Sequence, residues 1–480
     1  MGVKALLPGL KLSDSQERDI DPDFDLIRVS RLFEIANGTI VCVLSSCPAD
    51  SDTLVFTVNQ KKGLLPVSGL KEVDKLWPAG DELLALIDGT ILKIGLDGEH
   101  RRLLELPEEA ESVDASWTSD GVRIAAIIRG ERREGPGLYP ADRDRDTLRV
   151  YSPQTGWRKV AEIPSGCRSL SLSDDGSRCA WLEPLNTIPE EAMRGEFRVC
   201  DLETGKVTDL TGGAGKAQSI LMARDGSGVV YEANFQKKRP ITTHTDLWWQ
   251  PWGNETPTKL TTGDRDIEGF GWLDDRTIWV SLIDGLTRVT ESVNLDGVIA
   301  ALPVPALSEV VRGDANDVIC ESGDAKELPF LFLAGQKLEI PQRDEFEDVQ
   351  IRVIDWEATD GLAIKGVLYE TNDTPNGAPL LVRAHGGPAG SVEASRGTAV
   401  RHRSLLRAGY RVFEPAFRGS TGFGDDFLGA NIRCQGVKDL DDILTGVDRL
   451  VEMGIVDADR VGIYGGSYGG YMVLGSLVHF

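Results

Sequence analysis

The residues best suited to chemistry lie near the C-terminal end of the 480-residue chain, in Val461-Gly462-Ile463-Tyr464-Gly465-Gly466-Ser467-Tyr468-Gly469-Gly470-Tyr471. Val461 and Ile463 alternate as in a strand, and Met472, Val473, Leu474 and Leu477 follow in a helical pattern. Gly465-x-Ser467-x-Gly469 therefore falls in a tight strand-to-helix turn, with Gly466 as a further glycine before the serine. A serine hydroxyl is a poor nucleophile until it is presented to a base, and a sharp turn pushes its Oγ out of the sheet. Glycine on either side lets backbone approach where a Cβ would clash. The helix beginning after the serine aims free N–H groups at an oxyanion. The competing reading is a glycine-rich turn whose serine only caps the helix.

Acyl transfer needs a nucleophile, a base, an acid to orient the base and an oxyanion hole. Ser467 is the candidate nucleophile, and the N–H of Tyr468 is one candidate oxyanion donor. The second is expected from a loop at the end of an earlier strand, and His385-Gly386-Gly387-Pro388 follows the buried run 380–384. The chain holds five histidines. His100 and His244 are expected at the surface of strand-rich units. His385 belongs to the glycine loop, and His402 to the helical region after it. His479 sits about 18 Å of helical rise from Ser467, out of hydrogen-bond reach.

The elements that must carry these residues are of two kinds. From about residue 28 to 342 short alternating runs are separated by turns. Asp-Gly turns inside 115–127, 170–182 and 220–231 mark the clearest copies of one repeating unit, and 271–280 is a fainter one. Outer turns at Asp97-Gly98, Glu203-Thr204-Gly205 and Asp296-Gly297 complete units of four strands. The spacing predicts seven units of roughly 40 to 55 residues, a β-propeller, with a β-sandwich as the alternative. Two segments break the rhythm: the charge-dense 129–149, and 183–197 with the pair Glu190-Glu191. Both read as exposed loops, although paired glutamates could receive a peptide amine. From residue 343 the pattern becomes α/β, with strands at 349–354, 362–369, 380–384 and 410–415. Helical regions at 391–408 and 436–453 alternate with them, which predicts a parallel central sheet.

In order, these motifs resemble the prolyl oligopeptidase family of serine peptidases, closest to its acylaminoacyl-peptidase and dipeptidyl-peptidase-like members. The resemblance rests on His385-Gly386-Gly387-Pro388, then Arg418-Gly-Ser-Thr-Gly-Phe-Gly424, then Gly465-Gly466-Ser467-Tyr468-Gly469-Gly470-Tyr471, all preceded by a propeller. It implies a propeller followed by an α/β-hydrolase domain over 343–480, with residues 1–27 packing on the latter. It also implies Ser467 as nucleophile, the N–H groups of Tyr468 and Gly387 as oxyanion hole, and a propeller that restricts the site to short peptides. Arg418 matches a structural position of its loop. In this fold the acid and the histidine follow the serine. Only 13 residues do so here, so both are expected beyond residue 480, on a C-terminally truncated hydrolase domain. The chain is therefore read as a serine peptidase by family, itself inactive or a fragment. A serine esterase and a non-catalytic propeller scaffold are the alternatives.

The remaining numbers narrow the partners. A net charge of −24 argues against nucleic acid and anionic membranes. The 7 cysteines are scattered without a C-x-x-C pair, fitting free buried thiols in a reducing compartment. The run Ala5-Leu6-Leu7, broken by Pro8, is too short for a signal segment, which predicts a cytoplasmic protein. Neither a metal nor a cofactor is called for, and both domain edges leave surfaces for a homo-oligomer.

Overall fold

The computed structural model describes residues 26–34, 39–47, 54–59, 63–67, 73–130, 145–184, 194–210, 216–235, 243–253, 256–262, 265–302, 307–310, 319–322, 330–333, 336–339 and 348–479. The pair Glu190-Glu191, most of the insertion at 129–149 and all of 1–25 lie outside them. The expected N-terminal segment is therefore described only from Leu26, which opens the first strand.

Among the described residues, antiparallel sheets of four consecutive strands follow one another. They are β1–β4 over 26–66, β5–β8 over 75–105, β9–β12 over 110–164, β13–β16 over 168–209, β17–β20 over 216–259, β21–β24 over 266–301 and β25–β28 over 307–339. The Asp-Gly pairs at 120–121, 175–176 and 225–226 fall at hairpins joining first and second strands. Those at 97–98 and 296–297 join third and fourth strands.

The second strand of a sheet is buried on both faces, and its period of two divides its side chains between two neighbours. In β6 (Glu82–Ile87), Leu83 and Ala85 pack with Val41, Val43 and Val55. Leu84 and Leu86 pack with Val113, Val122 and Ile124 of the third sheet. In β14 (Arg178–Pro184), Cys179 and Trp181 face Ala125, Ile127 and Leu148, while Ala180 and Leu182 face Val229 and Tyr231. A four-stranded unit thus covers its faces only by stacking on the next, which is the radial packing of a propeller. Strand β1 (Leu26–Glu34) lies beside β25 (Leu307–Val310), so the first and last of these sheets are also neighbours.

The C-terminal part is a five-stranded sheet in the order β29-β30-β32-β31-β33. Its strands are β29 (Val349–Glu357), β30 (Ala363–Thr371), β31 (Ala378–Arg383), β32 (Arg411–Ala416) and β33 (Val456–Tyr464). The expected parallel sheet is corrected to a mixed one. Strand β31 runs parallel to β32 and β33, but β30 is antiparallel to both β29 and β32. The tight turn at 359–361 needs no crossover, whereas the parallel strands are joined through helices. The helices are α1 (Arg396–Arg401), α2 (Arg403–Arg407), α3 (Asp425–Leu428), α4 (Lys438–Glu452) and α5 (Tyr468–His479). The helical region at 391–408 is two short helices broken at His402. Helix α4 packs Leu440, Ile443 and Leu450 against Trp356 and Phe413. Residues Ala399 and Leu406 of α1 and α2 pack with Tyr369 and Val412 in a separate cluster.

The two parts meet where the glycine loop 418–424 and the segment 392–395 touch the fifth and sixth sheets. Leu286, from the turn after β22 (Thr277–Asp284), is buried with Val392 and Ala416. Gly285 N donates to Gly422 O at 2.7 Å, Gly422 N to Asp266 Oδ2 at 2.9 Å, and Ala394 N to Leu286 O at 2.9 Å. The expectation that His244 is a surface residue is corrected here. Its ring is largely buried, with Nδ1 2.9 Å from Asp425 Oδ1 at the start of α3 and Nε2 3.6 Å from Asp246 Oδ2. No local pattern announces this contact, because its partners are 181 residues apart.

The Asp246 and Asp425 carboxylates outweigh burial and raise the His244 pKa to about 9, against an ordinary 6.5. The proton is bound more tightly in the folded protein. The bridge's contribution is therefore full below about pH 6.5 and lost as pH rises through about 9. Between pH 7 and 10 the wild type is expected to lose about 1 kcal/mol more than His244→Gln, a figure reduced for solvent contact. Urea unfolding of both proteins at the two pH values measures it, and equal losses would refute the bridge.

Candidate active site

Strand β33 ends at Tyr464 and α5 starts at Tyr468, leaving Gly465, Gly466 and Ser467 as the whole connection. Ser467 is exposed and holds φ at +53°, a left-handed conformation that costs a side-chain-bearing residue about 1–3 kcal/mol. Tyr464 O accepts from Ala384 N at 3.0 Å, which docks the turn against the end of β31. A Cβ on Gly469 would lie 2.1 Å from Ala384 O, and one on Gly465 would lie 2.5 Å from the same atom. Both positions must therefore be glycine. Gly466 differs, since a Cβ there would meet nothing within 4 Å.

The loop after β31 lies against this turn. A Cβ on Gly386 would come 3.5 Å from Ser467 Cβ and 4.0 Å from its Oγ. Gly387 holds φ at +127°, where a Cβ would strike Ala389 N at 2.4 Å. Below them the His385 ring is buried and stacks on Phe417 with centroids 4.2 Å apart. The structure thus brings Ser467, Tyr468, Gly386 and Gly387 together. It sets His385 one layer beneath, where burial pushes its pKa down.

Supporting residues come from elements with no motif. The Tyr468 hydroxyl donates to Asp439 Oδ2 in the first turn of α4, which holds the start of α5. Asp439 also accepts from Gly436 N at 2.7 Å, and it is fully buried. Under β33, burial alone would raise the Glu414 pKa, but His402 and Arg383, at 2.8 and 2.7 Å, more than offset this and lower it. Arg418 donates from Nη1 and Nη2 to Asp360, at 2.8 and 2.9 Å, and from Nε and Nη2 to Asp442, at 2.8 and 2.7 Å. It holds its loop, in keeping with the structural position expected for it. The one sequence signal for Asp439 and Asp442 was a pair of acids among the apolar positions of α4, a pattern usual on solvated faces too.

Among the described side chains each histidine is engaged away from Ser467. His100 Nδ1 is 3.4 Å from Gly98 O, His244 meets Asp425, His385 meets Ser420 at 2.8 Å and His402 meets Glu414. Among the described residues, none of these four histidines is paired with Ser467.

The glycine geometry separates two substitutions. Gly466→Ala adds a methyl group into open space and is expected to leave Tm within about 2 °C of wild type. Gly469→Ala drives a Cβ into a carbonyl oxygen and is expected to lower Tm by more than 5 °C, a loss of about 2 kcal/mol or more. Thermal unfolding of the two variants decides this, and equal shifts would mean that the turn is not packed as described.

Residues 398–479 match the Prolyl oligopeptidase family. Dipeptidyl aminopeptidase BIII of Pseudoxanthomonas mexicana is 41% identical over 99 residues, covering 21% of this chain and 14% of that protein. Dipeptidyl-peptidase 5 of Porphyromonas gingivalis is 24% identical over 371 residues, covering 75% of this chain and 47% of that protein. The chain thus spans about half, or less, of the length of these curated relatives. Among solved structures, acylaminoacyl peptidase of Pyrococcus horikoshii superposes with a TM-score of 0.76 at 17% identity, over 96% of this chain and 77% of its own. That likeness shows a shared fold of propeller and hydrolase domain. The stretch that carries Ser467 thus resembles the prolyl oligopeptidase family, whose model it matches.

Proposed function

We propose that the protein is a serine peptidase that hydrolyses short peptides through an acyl-enzyme on Ser467. The observation that carries this reading is the strained Ser467 turn packed against Gly386. Ser467 Oγ attacks the scissile carbonyl carbon and passes its proton to a base. The N–H groups of Tyr468 and Gly387 stabilise the oxyanion, the C–N bond breaks as the amine takes up the proton, and water then hydrolyses the ester. The base and its orienting acid are to be sought outside the four engaged histidines. The activity is proposed for the whole protein, since the matched stretches cover 14% and 47% of these curated relatives.

The seven four-stranded sheets are read as seven blades over 28–342 that cap a hydrolase domain beginning at 343. The junction at Leu286, Gly422 and His244 supports a cap seated over the hydrolase part, and a seated cap admits short peptides. A structural neighbour, an acylaminoacyl peptidase, was solved in complex with Z-Gly-Gly-Phe-chloromethyl ketone, which supports a peptide substrate class. Cys179 and Cys200 are buried free thiols, supporting a reducing compartment such as the cytoplasm. No helix among the described residues is long and apolar enough to cross a membrane.

In the full-length protein Ser467→Ala is expected to lower peptide-anilide turnover by a factor of about 10⁴ or more. It is also expected to abolish labelling by a fluorophosphonate. Retained anilide turnover would refute the peptidase reading. Fast p-nitrophenyl ester cleavage with negligible anilide cleavage in the wild type would make the protein an esterase.

A further inference from the structure

In the glycine loop 418–424, Arg418 holds the loop to α4 and Gly422 meets the propeller, while Ser420 meets the ring of His385. Ser420 is fully buried, and its Oγ lies 2.8 Å from His385 Nε2. On the far side of the ring, His385 Nδ1 lies 2.8 Å from Gly386 O. A carbonyl oxygen only accepts, so Nδ1 carries the proton and Nε2 is left as the acceptor. Ser420 Oγ donates to Phe417 O at 2.6 Å and stays within hydrogen-bond distance of Nε2. The ring is clamped between the Ser420 hydroxyl, the carbonyl of the glycine touching Ser467, and the face of Phe417.

A second tie acts at the same place. Thr421 N donates to Gly390 O at 2.9 Å, and Gly390 is pressed against the clamped ring. A Cβ there would fall 2.5 Å from Gly386 O and 2.6 Å from His385 Nδ1. The next residue, Gly422, is gripped by the propeller through Asp266 and Gly285. A Cβ on Gly422 would strike Ile283 Cγ2 at 2.7 Å and Gly285 O at 2.9 Å, so the grip requires glycine. Three consecutive residues thus touch the His385 ring, the oxyanion loop and the propeller.

We propose that Ser420 is a positioning residue that holds the His385–Gly387 turn in register with Ser467 and couples that register to the seating of the propeller on Gly422. The proposal rests on the reading of Ser467 as nucleophile and Gly387 as oxyanion donor. Ser420 touches no substrate and acts through His385. An N–H displaced from the oxyanion position weakens transition-state stabilisation and leaves ground-state binding nearly untouched.

The test compares Ser420→Ala, His385→Ala, the double variant, Asp266→Ala and Ser467→Ala in the full-length protein, with a peptide anilide as substrate and a peptide aldehyde as transition-state mimic. Ser420→Ala is expected to lower kcat by about 10- to 100-fold with KM within about twofold. Affinity for the aldehyde, whose hemiacetal places an oxyanion in the hole, falls by a similar factor. His385→Ala shows a similar loss, and the double variant is no worse than either, as for residues acting through one contact. Asp266→Ala leaves the serine in place and is expected to lower kcat severalfold with unchanged KM. Wild-type kcat in Ser420→Ala, or additive losses in the double variant, would overturn the proposal. If Ser420→Ala fails to fold by thermal unfolding, Asp266→Ala decides, and an unchanged kcat there overturns it. Turnover that survives Ser467→Ala overturns both this proposal and the peptidase reading. Turnover lost in Ser467→Ala but intact in Ser420→Ala overturns this one alone.

Discussion

Two backbone segments approach each other at the centre of the C-terminal part more closely than any Cβ would allow. Ala384 O sits where side chains on Gly465 and Gly469 would be, and Ala384 N is bonded to Tyr464 O. This contact seats the Ser467 turn on the end of β31. Because the glycine loop leaves β31 at the same point, it also sets Gly386 beside the serine. Chain approach at this distance is available only to glycine, and it leaves Ser467 to absorb the left-handed strain. The other parts of the site keep this contact in place: Tyr468 tied to Asp439, the His385 ring wedged beneath, and Glu414 bound by Arg383 and His402 under β33.

The two parts of the molecule are stabilised by different physics. The four-stranded sheets are joined by apolar interfaces in which alternate residues of one strand serve two neighbours, so each sheet depends on those beside it. The C-terminal part keeps apolar cores too but threads buried charge through its loops. Arg411 donates to Glu370 at 2.7 Å and to the carbonyls of Pro375 and Ile455, and Arg418 is paired with Asp360 and Asp442. Buried charges of this kind cost desolvation and are costlier still when left unpaired. Their geometric exactness holds the loops on which catalysis would depend. At the junction both modes meet, with Leu286 in an apolar cluster and the His244–Asp425 bridge at the edge.

Much of this was legible in the chain. The Ser467 turn, the glycine loop after β31, helix α4 and the repeated hairpins rest on interactions within a few residues, and these leave local patterns: glycine spacing, Asp-Gly turns, periods of two and of 3.6. Those patterns carried the alternation of strand and helix after residue 343. They did not reveal that β30 would pair antiparallel with β32, because strand order within a sheet is decided by packing between elements.

The sequence by itself determined that a serine would be presented on a strained strand-to-helix turn, and that short four-stranded units would stack on one another. Backbone sterics and side-chain period act locally, so their patterns are visible along the chain. Only the tertiary structure decided what His244, Ser420, Asp439 and Asp266 do. Each is a common polar residue whose partner lies far along the chain, and its role exists only once folding brings that partner within hydrogen-bond distance.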